Sequence, residues 1–224
     1  MEPMLPIPPL PASWPYAPRV AAPCPRPEAG ARLPGLDGAW SLAAPADLAF
    51  QGDPEPLGGS FGRGGVYRVG DVVLRPYRRG GLVRHLNAAI YPGPERFERE
   101  YRVHRALWEA GFPTVEPLGW AHRPRLWGCE GVFLTRYAGG TPWPRTWDEA
   151  ALPRVRALLE ALCAWGLHAP DLNATNFQVL PGGEVLALDW DKARWLPGED
   201  LAGRYRARLD RSLRKLGAPS RFVI

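Results

Sequence analysis

The sequence predicts an α+β fold of two lobes, strand-rich first and helix-rich second. Three observations carry that expectation. Gly70-Asp71 stands between the β-branched runs of "VYRVGDVVLRPY", a hairpin signal. "PERFEREYRVHRALWEAG" and "DEAALPRVRALLEALCAWG" read as helices on either side of a strand-rich stretch. "GGTPWP" at residues 139–144 breaks both patterns and reads as a hinge.

Residues 1–50 are rich in proline and alanine. Proline lacks a backbone donor and fixes φ, so "PLPASWPYAPRVAAPCPRPEAGARLPG" is neither a helix nor a central strand. An extended or partly disordered leader is expected, with its tryptophans pinning parts of it to the body. Residues 51–138 form the first lobe. Strands are expected at Val66–Val69 and Val72–Tyr77, followed by a helix from Pro94 to Gly111. Pro94 suits the first turn, Gly111 suits the stop, and Phe97, Tyr101, Ala106 and Leu107 supply the apolar spacing. "VEPLGWAH" and "GVFLTRYA" are two further strands. Residues 139–224 form the second lobe: a helix, the loop "HAPDLNATN", the hairpin "FQVLPGGEVLALDW" and a basic helix, "GEDLAGRYRARLDRSLRKLG". No internal repeat is visible.

At 224 residues with 46% hydrophobic content, the chain can bury one sizeable core or one small two-lobed unit. No apolar run reaches membrane-span length. The first residues lack a basic n-region and a continuous apolar h-region, so no signal peptide is predicted. Cys24, Cys129 and Cys163 are scattered without paired spacing, as isolated thiols of a reducing compartment are. A cytoplasmic monomer is expected. The net charge is +5 and the pI about 9.4. Lys192 and Lys215 are the only lysines, so the positive charge is arginine, which forks to phosphate and carboxylate. An acidic partner follows, unless a GC-rich coding sequence alone explains the arginines. No interleaving of aromatic and basic residues marks an RNA-binding motif, and no nucleic-acid partner is expected.

The chemistry concentrates after the second helix. Asp171 and Asn176 lie five positions apart on a loop, and Asp189 ends an apolar strand after a "PGG" turn. Phosphoryl transfer needs one carboxylate to take or orient the proton of the attacking hydroxyl. It needs a second carboxylate and an amide oxygen to hold magnesium, a hard cation, against nucleotide phosphates. D-x-x-x-x-N followed by a strand ending in Asp is the kinase pattern, with Asp171 as the acid and Asn176 and Asp189 as metal ligands. Asp191, two residues beyond Asp189, competes for the second role. His168 stands three residues before the acid where kinase loops place histidine two before; it either braces the loop from this shifted position or is a structural histidine. Upstream, Gly62, Gly64 and Gly65 of "GGSFGRGG" let backbone N–H groups approach phosphates, or simply make a hairpin turn. A kinase also needs a cation on the following strand paired with a helical glutamate. No lysine precedes residue 192, so Arg75 and Glu100 are the candidates, with an exposed hairpin arginine as the plain alternative.

"GRGGVYRV", "VVLRPYRRGGLVRHLN", "EREYRVHRALWEAGFPTVEPLG", "LTRYAGGTPW", "HAPDLNATNFQVL", "LALDWDKAR" and "RYRARLDRSLRKL" occur in this order over residues 57–217. Together they resemble the bacterial lipopolysaccharide kinase family and, within it, the 3-deoxy-D-manno-octulosonic acid (Kdo) kinases. The resemblance implies a protein-kinase-like two-lobed fold with a nucleotide-binding first lobe and a minimal catalytic second lobe. It implies ATP and Mg2+, with the phosphate going to a sugar hydroxyl of the Kdo–lipid A precursor. It implies Asp171 as catalytic acid, Asn176 and Asp189 on the metal, and Arg75 with Glu100 at the nucleotide phosphates. Arg78 and Arg79, among the apolar residues that follow the strand, are candidates for binding the acceptor or an anionic membrane surface on the cytoplasmic face. Departures are the displaced His168, Trp190 where phenylalanine is usual, and the proline-rich leader. Alternatives are a kinase of the same fold acting on another small-molecule or protein hydroxyl, and a nucleotide-binding pseudokinase.

Overall fold

Gly70 makes the turn that the sequence predicts. Its φ is +61°, and Val69 pairs with Val72 directly across it. A computed structural model of the chain describes residues 6–21, 23, 25–57, 65–78 and 89–222, which divide into two units. Gly62, Gly64 and Arg79 lie outside the described residues.

One unit comprises residues 21–102 and 116–137. Its strands are β1 (Glu28–Ala31), β2 (Trp40–Ala43), β3 (Glu55–Pro56), β4 (Tyr67–Val69), β5 (Val72–Pro76), β6 (Pro117–Arg125) and β7 (Gly128–Arg136). Among the described residues they form one antiparallel sheet in the order β1-β2-β6-β7-β5-β4-β3. Side chains alternate across its faces. Leu74, Leu118, Ala121, Val132 and Leu134 pack with Val69 and Val72 on one side. Trp120 and Phe133 join Tyr77, Tyr91, Phe97 and Tyr101 in a separate aromatic cluster. Phe97 and Tyr101 come from α1 (Glu95–Glu109), within which the division between the units falls.

The first fifty residues do more than the leader reading expects: β1 and β2 extend the sheet. Prolines surround both, so neither strand shows a period long enough to read. β1 sits at the sheet edge, where only one side of its backbone needs a partner. β2 buries Trp40 and Ala43 and pairs with β6.

The other unit comprises residues up to Val20, 103–115 and 138 onward. It holds α2 (Trp143–Thr146), α3 (Ala151–Ala164) and α4 (Leu201–Lys215), with short strands β8 (Thr141–Pro142), β9 (Leu167–His168), β10 (Phe177–Val179), β11 (Val185–Ala187) and β12 (Arg194–Trp195). α3 buries Val155, Leu158, Ala161 and Leu162, and α4 buries Leu201, Tyr205, Leu209 and Leu213. These stripes meet in one core with Trp143, Phe177, Trp190 and Phe222.

The residues before β1 also cap α1. A helix ends with carbonyls that have no intrahelical partner. Trp14 Nε1 donates to Ala110 O at 2.7 Å, Arg19 N to Glu109 O at 2.7 Å, and Arg19 Nη1 to Trp108 O and Phe112 O. Gly111 takes φ +79°, and an added Cβ would lie 2.0 Å from Ala17 O, so glycine is required where the leader crosses the helix end. Trp14 also packs against Phe112 and Trp165. Trp14→Ala is therefore expected to lower unfolding stability by about 2 kcal/mol, read from the urea midpoint. An unchanged midpoint would mean that the leader is only loosely applied.

Candidate active site

The candidate residues of the second lobe are placed by two antiparallel pairings, one nested in the other. The inner pair is β10 with β11, Phe177 opposite Ala187. The outer pair is β9 with β12, Leu167 opposite Trp195 and His168 opposite Arg194. Between inner and outer pairs run two loops, 169–176 and 188–193. They carry Asp171 and Asn176 on one side and Asp189, Asp191 and Lys192 on the other. Leu188 N donates to Asn176 O at 2.8 Å, so Asp189 directly follows the residue bonded to Asn176.

Asp171 is partly exposed and forms an ion pair with Lys192, Nζ to Oδ2 at 2.8 Å. Asn173 organises the rest of its loop. Its Oδ1 accepts from Thr175 N at 3.0 Å and caps the 3-10 turn Ala174–Asn176. Its Nδ2 donates to Asp171 O at 2.9 Å and to Asn176 Oδ1 at 3.0 Å. The Thr175 hydroxyl has one proton, and its 2.7 Å contact with Asn173 Oδ1 is shorter than its 3.1 Å contact with Asn176 Oδ1. Asn176 Oδ1 thus keeps a lone pair. Asn176 is only 8% exposed, yet among the described residues its Nδ2 has no hydrogen-bond partner. A buried amide donor without an acceptor is costly, and an added phosphate oxygen would satisfy it.

Asp189 has φ +69° and Lys192 φ +64°, both left-handed and unusual for residues with a Cβ. The flanks of Asp189 explain how this is held. Ala187 N donates to Pro113 O at 3.0 Å, Thr114 Oγ1 donates to Ala187 O at 2.7 Å, and Trp190 Nε1 donates back to Thr114 Oγ1 at 3.1 Å. Trp190 is fully buried and packs edge-on to Phe112. Its indole N–H, which phenylalanine lacks, closes this clamp.

Among the described residues, His168 Nδ1 is buried without a hydrogen-bond partner. Burial lowers its pKa, and Arg204 and Arg194 add to the effect. The bracing comes from α4 instead. Tyr205 OH donates to Leu167 O at 2.7 Å and accepts from Ala169 N at 2.9 Å, while burial pushes its pKa up. Ser212 Oγ accepts from Ala174 N at 3.0 Å. Neither residue is readable as functional in the sequence; the one signal is a hydroxyl-bearing pair seven residues apart beside a buried leucine stripe. Lys192 was equally hidden, although it is one of only two lysines in the chain.

A divalent cation bound against phosphates takes one or two protein oxygens and completes its shell with phosphate and water. Among the described residues no three His, Cys, Asp or Glu side chains cluster as a metal site. Asn176 Oδ1 with one carboxylate fits the smaller requirement.

In the sheet unit, Arg75 of β5 and Glu100 of α1 form an ion pair through Nη2 and Oε1. Glu100 is 2% exposed and also accepts from Tyr77 OH at 2.5 Å. The Arg75 guanidinium lies over the Tyr77 and Phe133 rings. Arg78 is exposed, and an added Cβ on Gly65 (φ +85°) would lie 2.9 Å from its Nη2.

No protein-family model matches the chain. It is 30% identical over 196 residues to the 3-deoxy-D-manno-octulosonic acid kinase of Xylella fastidiosa (strain M12), covering 79% of this chain and 76% of that protein. It is 30% identical over 178 residues to the protein of the same name from Xanthomonas campestris pv. campestris (strain B100), covering 69% and 68%. Among solved structures, the bifunctional kinase-methyltransferase WbdD aligns with a TM-score of 0.45 at 15% identity, covering 63% of this chain and 32% of that one.

Two stability measurements check this geometry. Tyr205→Phe leaves Leu167 O and Ala169 N without their partner and is expected to cost about 2 kcal/mol; a wild-type melting profile would show that the hydroxyl braces nothing. Arg75→Met removes the cation paired with a buried carboxylate and is expected to cost about 3 kcal/mol, most of it recovered by adding Glu100→Leu. No recovery in the double variant would mean that Arg75 stabilises by packing and not by pairing.

Proposed function

The chain belongs to the 3-deoxy-D-manno-octulosonic acid kinase family, and from that premise we propose that it moves the γ-phosphate of ATP to a hydroxyl of Kdo in the lipopolysaccharide inner core. It is a kinase with a protein-kinase-like α+β fold. The observation that carries the proposal is the nested pairing that brings Asp171 to Lys192 and Asn176 to the strand end before Asp189.

In this reading the Asp171 carboxylate accepts the proton of the sugar hydroxyl as its oxygen bonds to the γ-phosphorus and ADP leaves. Lys192 holds the carboxylate before the acceptor arrives, then offers its charge to the phosphoryl group. Asn176 and Asp189 are the residues that would hold Mg2+; the left-handed backbone of Asp189 favours it over Asp191. Magnesium, when bound, neutralises phosphate charge and orients the group transferred. Arg75, kept in place by Glu100 and Tyr77, is assigned to the nucleotide phosphates, as are the backbones of Gly62, Gly64 and Gly65. Arg78 and Arg79 are assigned to the acceptor's phosphates or carboxylate. Among the described residues no helix is long and apolar enough to cross a membrane; the proposal has the protein meet its glycolipid acceptor at the cytoplasmic face of the inner membrane.

The test is ATP consumption and product analysis with Kdo-bearing glycolipids, heptose sugars and generic protein substrates. Phosphate is expected on the Kdo-bearing glycolipids alone; transfer only to another acceptor would overturn the substrate assignment. Within that assay Asp171→Asn is expected to lower kcat by about 10²-fold or more with ATP affinity nearly unchanged. Lys192→Ala should lose about 10²-fold in kcat, with partial rescue by Lys192→Arg. A Lys192→Ala enzyme of wild-type kcat would reduce the ion pair to a surface contact.

A further inference from the structure

α4 carries a charge asymmetry that the phosphoryl-transfer roles leave unused. Over the whole chain, Lys and Arg outnumber Asp and Glu by 28 to 23. On Leu201–Lys215 alone the cations are Arg204, Arg206, Arg208, Arg211, Arg214 and Lys215, against the single acid Asp210. That surplus of five equals the +5 of the entire protein. A genome that prefers arginine codons explains arginine in place of lysine; it does not explain why cations exceed acids on one helix and balance them elsewhere.

The arrangement is regular. Arg204, Arg208, Arg211 and Lys215 stand at i, i+4, i+7 and i+11, which places them in one stripe about 16 Å long at 1.5 Å per residue. Like charges at this spacing destabilise a helix unless an opposing charge meets them. Protein groups meet only part of this row. Arg204 pairs with Glu199 before the helix, and off the stripe Arg214 pairs with Asp210 at 2.9 Å. Arg211 and Lys215 are exposed and make no ion pair among the described residues. Arg208 is half-buried, and among the described residues its Nε is a donor without an acceptor. The stripe also adjoins the one that holds the catalytic loop, because Tyr205 and Ser212 each follow a stripe cation, Arg204 and Arg211.

We propose that the Arg204–Arg208–Arg211–Lys215 face of α4 is the surface on which this unit seats against an anionic bilayer. Lipid phosphates supply the acceptors that the row lacks, and the helix that touches them also holds residues 167–174. Seating therefore brings the Asp171 loop to the head-group region; that consequence rests on the kinase reading above, whereas the seating does not. A nucleic acid presents phosphates too, but α4 turns its one aromatic residue, Tyr205, into the core and offers no ring for base stacking.

The test is co-sedimentation with phosphatidylcholine vesicles, with and without phosphatidylglycerol, in the absence of nucleotide and acceptor. A failed kinase assay then leaves the result standing, and the reverse holds. Wild-type protein is expected on the phosphatidylglycerol vesicles only, with binding that weakens as salt rises. Arg211→Gln with Lys215→Gln should weaken binding about thirtyfold, since each cation near such a surface contributes about 1 kcal/mol. Arg99→Gln with Arg102→Gln, which removes equal charge from exposed positions of α1, should leave affinity within about threefold of wild type, as expected if the charge acts from the stripe. Should the first pair fail to melt cooperatively, Lys215→Glu alone in the last turn reads the same loss. No binding at low salt, equal weakening by both pairs, or displacement from the vesicles by duplex DNA at physiological salt would each overturn the proposal.

Discussion

Two strand pairs of two and three residues each set the positions of the acids and the amide in the second unit. Strands this short are not stable alone. They persist because their side chains belong to the core: Leu167, Phe177, Val185, Ala187 and Trp195 are all buried. Nesting has a geometric consequence. With both ends of each loop tied, residues 169–176 and 188–193 face one another without needing a hydrogen bond between every pair of residues. Among the described residues this leaves Asn176 Nδ2 buried without a partner.

Supports for these loops come from distant parts of the chain. Thr114, just beyond α1, bonds both Ala187 O and the Trp190 indole and so fixes the two sides of Asp189. Tyr205 and Ser212, on the last helix, fix the two ends of the Asp171 loop. The leader closes the end of α1 from which Thr114 follows. Most of these supports are a hydroxyl, indole or guanidinium meeting a backbone group, and at the buried ones, Leu167 O, Ala169 N and Ala187 O, a single hydrogen bond has its largest effect. Pre-organisation of this kind keeps a left-handed aspartate in place.

The sheet unit meets a different constraint, a carboxylate removed from water. Glu100 remains tolerable there because Arg75 and the Tyr77 hydroxyl both satisfy it. Arginine suits this position better than lysine would: its planar head lies over two aromatic rings while its Nη2 meets the acid.

Much of this was legible in one dimension. The Gly70 hairpin, α1 from its apolar spacing, and the five-residue interval between Asp171 and Asn176 are all local patterns, dictated by backbone periods and turn chemistry that act over a few residues. The strand expected to end at Asp189 stops at Ala187, and Asp189 follows it in a left-handed turn that alternation alone does not signal. The Arg75–Glu100 pairing followed from the kinase requirement for a strand cation and the absence of an early lysine, whereas the proposed acceptor comes only through the family resemblance. Tertiary structure alone decided the rest. Lys192 reaches Asp171 across 21 residues, and Tyr205 reaches Leu167 across 38. β1 and β2 become strands because a sheet edge is there to receive them, not because four residues between prolines prefer to be extended. Pairings over such separations depend on which buried surfaces meet, and hydrophobic burial has no direction along the chain that a sequence pattern could record.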